Sequence, residues 1–306
     1  MALRVKGAVK RIVASGGGSL TPLPGESYLV RNIHCVASSN DTFLSLYLDA
    51  ELIMVLRVKS KSGNHCPYPA QGTTTATAPG VPTIFDVMEA AGRALSIPVE
   101  DDQTFSFTRY AEAGDVTIVY DIGDAGDFKA TDPNGSDGKV RRQLVYASNA
   151  VAISAVGDCL LDAMLSTGLV NTFPVNGARV PNGCKGRLLG VAGVPSAKGA
   201  SSANNFYTTY LKLLLNQSVL FDPKNGYGLT FLGDVSNVST LAWTPIASLI
   251  GGGTAEHGQK PLLFDPPIEL SPADALLPYV TVAGAAAAAF AIGSLDVCFI
   301  TEFERP

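Results

Sequence analysis

Apolar and polar residues alternate in short runs along much of this chain, with a period of two. Over residues 43–48, Leu44, Leu46 and Leu48 fall on one side while Ser45 and Tyr47 fall on the other. A period of two marks a strand with one buried face. Similar apolar runs occupy residues 28–33 and 52–58, and Val116-Thr117-Ile118-Val119-Tyr120 is rich in β-branched residues, which suit a pleated, half-buried surface. Gly, Pro, Asn and Asp clusters such as Pro24-Gly25 separate the runs. Many short strands punctuated in this way predict an all-β sandwich or barrel.

One segment departs from that period. Ile84, Val87, Met88, Ala91 and Leu95 recur at helical spacing, after a Thr83 that suits an N-cap and with Asp86 three residues on. This predicts a single amphipathic helix lying against the sandwich.

The order of elements occurs twice. Leu29–Ile33 after Pro24-Gly25 has a counterpart in Arg187–Val191 after Asn182-Gly183, and residues 42–49 (TFLSLYLD) match residues 209–216 (TYLKLLLN). Residues 83–88 pair with 244–249, where Pro245 suits a first helical turn. Residues 97–99 pair with 267–270, each leading into an acidic turn, and residues 115–120 pair with 296–301. Five matches in order indicate duplication, with insertions falling in loops. The expectation is two tandem jelly-roll-like β-sandwich domains, each with a short inserted helix. They cover residues 19–148 and 174–306, after a basic flexible arm at 1–18 and around a linker at 149–173. The arm carries Arg4, Lys6, Lys10 and Arg11 with no acidic residue before Glu26, and Gly16–Gly18 reads as its hinge.

Composition narrows the function. Hydrophobic residues are 46% and charged residues 16% of 306, enough for two cores and for surface buried between subunits. A net charge of −5 argues against a dedicated nucleic-acid reader, whose affinity comes from Lys and Arg. No apolar run is long enough for a membrane-spanning helix, and residues 1–18 lack the apolar stretch of a signal peptide. Five scattered cysteines, none in a CxxC pair, suggest free thiols in a reducing cytosol.

Little in the chain points to catalysis. There is no G-x-S-x-G and no phosphate-binding glycine loop, and three histidines are few for acid–base work. His34-Cys35 and His65-Cys66 are zinc-ligand types, but neighbours on a strand face opposite ways, so at most one of each pair reaches a shared ion. Asp101 and Asp102 lack the aromatic platform that sugar cleavage wants. Asp121, Asp124 and Asp127 stand at three-residue spacing in a Gly-containing loop. They read either as a solvated loop with Asx turns or as hard oxygen ligands for a structural calcium. No other cofactor is expected.

The strands at 42–49 and 209–216, the helical segments near 83–95 and 244–250, and the closing strands at 116–120 and 297–301 carry a resemblance over nearly the whole chain. The arrangement resembles the double jelly-roll major capsid proteins of tailless icosahedral double-stranded DNA viruses. That resemblance implies a non-enzymatic virion subunit, made in the host cytoplasm, that trimerises into a pseudo-hexagonal capsomer. It also implies an arm inside the shell, with Arg4, Lys6, Lys10 and Arg11 facing an inner membrane or the genome, and other virion proteins as partners. The rival readings are a virion decoration, spike or tail protein, a tandem carbohydrate-binding or adhesive module, and a bicupin enzyme. The last two want exposed aromatics and clustered histidines, and the chain has one Trp and three His.

Overall fold

The computed structural model describes residues 4–14, 16–35, 42–58, 84–110, 114–128, 140–149, 151–152, 155–161, 185–195, 209–221, 229–230, 262–282 and 295–304. These form seventeen strands and one helix. The chain divides into two compact units. One comprises Met1–Ser62, Pro67–Leu144 and Glu302–Pro306; the other comprises Gly63–Cys66 and Val145–Thr301. The protein is all-β, with four antiparallel sheets in a sandwich-like arrangement.

In the first unit the strands are β1 (Val5–Ala14), β2 (Gly17–Leu20), β3 (Glu26–Cys35), β4 (Thr42–Leu48), β5 (Glu51–Val58), β6 (Ile97–Val99), β7 (Phe105–Tyr110) and β8 (Gly114–Asp124). They make two four-stranded sheets, in the orders β1-β8-β3-β6 and β2-β7-β4-β5. The leucine periodicity is realised in β4: Leu44, Leu46 and Leu48 are all buried. Leu46 stands opposite Met54 of β5 and Phe107 of β7, both also buried. β5 is buried on both faces, through Ile53, Met54, Val55 and Leu56, as its unbroken apolar run requires.

The helix α1 (Ile84–Ala90) buries Ile84, Phe85 and Met88 and is tied to β3 by Asn32 Nδ2 donating to Asp86 Oδ1 at 2.7 Å. It ends where Gly92 turns left-handed (φ 70°). There Gly92 N bonds Glu89 O and Arg93 N bonds Met88 O, a Schellman cap that only glycine enters without strain.

The remaining strands are β9 (Val140–Ser148), β10 (Gly157–Leu160), β11 (Lys185–Pro195), β12 (Thr209–Leu215), β13 (Ser218–Phe221), β14 (Leu229–Thr230), β15 (Leu262–Leu270), β16 (Leu276–Val282) and β17 (Leu295–Glu304). Their sheets run β15-β11-β17-β9 and β10-β16-β12-β13, with β14 beside β12. The dividing lines at 144/145 and 301/302 fall inside β9 and β17. Read from β9, these orders repeat those of β1 to β8, with β15, β16 and β17 taking the places of β6, β7 and β8. Four of the five sequence matches lie on strands that hold the same place in their sheets: β3 with β11, β4 with β12, β6 with β15, and β8 with β17. The fifth, the second inserted helix near 244–250, lies outside the described residues.

Two expectations are corrected. The flexible arm expected at 1–18 is a strand where it is described: Val5–Ala14 is the ten-residue edge strand β1, laddered along β8 from Val5↔Ile122 to Ala14↔Gly114. Gly16–Gly18 is not a free hinge either. Gly17 and Gly18 belong to β2, and a Cβ on Gly17 would come within 2.7 Å of Phe107 O. Close strand approach explains the glycine there, and chain flexibility does not. The segment expected as a linker, 149–173, contains β10.

Candidate functional site

The residues singled out for chemistry converge on β1 and its neighbour β8. Between Val5 and Ala8 the β1–β8 register shifts. Gly7 sits in the shift with φ 71°, a bulge built on a left-handed glycine. Its N–H donates to Asp121 Oδ1 at 2.9 Å, in place of a ladder carbonyl. Asp121 is 2% exposed, and its other oxygen accepts from Arg31 Nε at 2.9 Å. Arg31 continues to Glu89 of α1 at 2.7 Å. One buried carboxylate thus links β1, β3 and β8, and Arg31 extends the chain of contacts to the helix. A buried carboxylate must be paired in this way or its desolvation goes uncompensated.

Three of the four cations on β1 and just before it are held within the same unit, two of them by carboxylates. Arg4 pairs with Asp124 and, at 3.4 Å, with Glu26. Arg11 pairs with Asp115, and Lys10 donates to Ser19 O at 2.9 Å. Lys6 is exposed. The arm's cations and the loop's carboxylates, read separately in the sequence, therefore largely meet each other.

The proposed calcium ligands are placed as follows. Asp121 is turned to Gly7 and Arg31. Asp124 pairs with Arg4. Asp127 Oδ2 accepts from Asp124 N at 3.1 Å, reaching back across the turn that Asp127 N closes onto Asp124 O at 3.0 Å. Each carboxylate has a donor from the protein, and among the described residues no group of three or more His, Cys, Asp and Glu is set to hold a metal ion.

His34 on β3 is half-buried. Burial pulls its pKa down, against a smaller upward pull from Asp86. Cys159 and Cys298 are free thiols; His65 and Cys66 lie outside the described residues. No described helix is long and apolar enough to cross a membrane.

No family model matches the chain, and no curated protein matches it. Among solved structures, a peptide-N(4)-(N-acetyl-beta-D-glucosaminyl) asparagine amidase aligns over 94% of this chain and 87% of its own, at 11% identity and a TM-score of 0.29. At that score the likeness carries no argument about fold or activity.

Proposed function

We propose that the chain is a viral shell subunit made of two jelly rolls in tandem, working by self-assembly and without catalysis. The observation that carries this reading is the doubled strand order. The orders β1-β8-β3-β6 and β2-β7-β4-β5 are those of an eight-stranded jelly roll, whose two Greek keys split the strands 1-8-3-6 and 2-7-4-5. The orders β9-β17-β11-β15 and β10-β16-β12-β13 repeat it. A duplicated sandwich lets three chains present six similar blocks around one axis, a pseudo-six-fold tile from a three-fold object. On this reading the protein resides in the virion after synthesis in the host cytoplasm and meets other virion proteins there.

The test is the mass of the purified protein and the shape of what it builds. Light scattering coupled to size exclusion is expected to give three times the chain mass of 31.8 kDa. Electron microscopy is expected to show flat hexagonal tiles or shells. A monodisperse monomer at micromolar concentration that forms no particle sinks the proposal.

A further inference from the structure

We draw no further inference here: the strongest candidate, the acidic cluster where the turns at 100–103 and 124–127 meet and the buried Glu100 leaves its Oε1 without a hydrogen bond, carries nothing, because that oxygen is closed off from solvent, the other oxygen of the same carboxylate already accepts from Gly126 N at 2.8 Å, and among the described residues no three carboxylates are set to hold a metal ion.

Discussion

Asp49 and Thr104 are bonded to each other twice: Asp49 N donates to Thr104 O at 2.8 Å, and Thr104 N donates back to Asp49 Oδ1 at 2.9 Å. Asn216 and Ala275 repeat the arrangement at 2.7 and 2.9 Å. Asp49 and Asn216 are both left-handed, at φ 55° and 56°, in the two-residue turns after β4 and β12. Asx side chains tolerate that backbone and supply the acceptor at once. The clasp joins the β4–β5 turn to the start of β7, and the β12–β13 turn to the start of β16. Asp49→Asn is therefore expected to be nearly neutral, as Asn216 already does this work. Asp49→Ala is expected to lose about 1–2 kcal/mol, from the lost acceptor and left-handed strain. Urea titration of the two variants reads the difference.

Leu46 is fully buried between Met54 and Phe107. Leu46→Ala is expected to cost roughly 2–5 kcal/mol, as a large-to-small change in a packed core, and Leu213→Ala similarly in the other unit. Chemical denaturation measures both; a change under about 1 kcal/mol contradicts the packing described.

Gly17→Ala tests whether β2 needs glycine for close approach. The added methyl meets backbone, Phe107 O at 2.7 Å, which has little room to yield. A loss of about 1–3 kcal/mol is expected. Gly16→Ala, with open space around it, is the matched control and is expected to stay within about 0.5 kcal/mol. Thermal melts of the pair settle it.

Asp121→Ala removes the acceptor of both Gly7 N and Arg31 Nε. The expected loss is on the order of 3 kcal/mol, typical of breaking a buried charged network. β1 should loosen from β8 first, visible as faster amide exchange over residues 5–12 than elsewhere in the unit.

His34 gives the pH dependence its sign. Its folded pKa lies below the ordinary 6.5 because burial disfavours the charged ring. The unfolded chain therefore takes up the proton first. The stability contribution is complete above about pH 6.5, falls as pH drops through that value, and is gone below the folded pKa. Melting temperature should decline from pH 7.5 to 5, and His34→Asn should flatten part of that decline. An unchanged slope in the variant contradicts the assignment.

The sandwich class was legible because Leu44, Leu46 and Leu48 keep an unbroken period of two. The repeat was legible because strand residues and the Asx at the strand end recur together. β1 was not, for a physical reason. The Gly7 bulge shifts the phase, so Val5 and Ala8 share a face across an even number of intervening residues, and no single alternation runs through the segment. Its four cations then read as a solvated tail. Gly17 was opaque because glycine serves both flexible turns and close backbone approach. The acidic spacing at 121, 124 and 127 reads as a ligand set because the partners Arg4, Gly7 and Arg31 lie ninety or more positions away and are brought to Asp121 and Asp124 only by the fold.

The Gly7–Asp121 bond spans 114 positions, and that separation sets an order of events during synthesis. β1 leaves the ribosome early, while β8, on which it ladders, emerges about a hundred residues later. Until then β1 is a basic strand without its β8 partner, and β3, which also ladders onto β8, waits for the same strand. Chains grow at about 5–20 residues per second, so the delay lasts several seconds. Lysines and arginines on β1 keep that waiting edge soluble and mutually repelling. The same charges keep crowded nascent copies from zipping together too early.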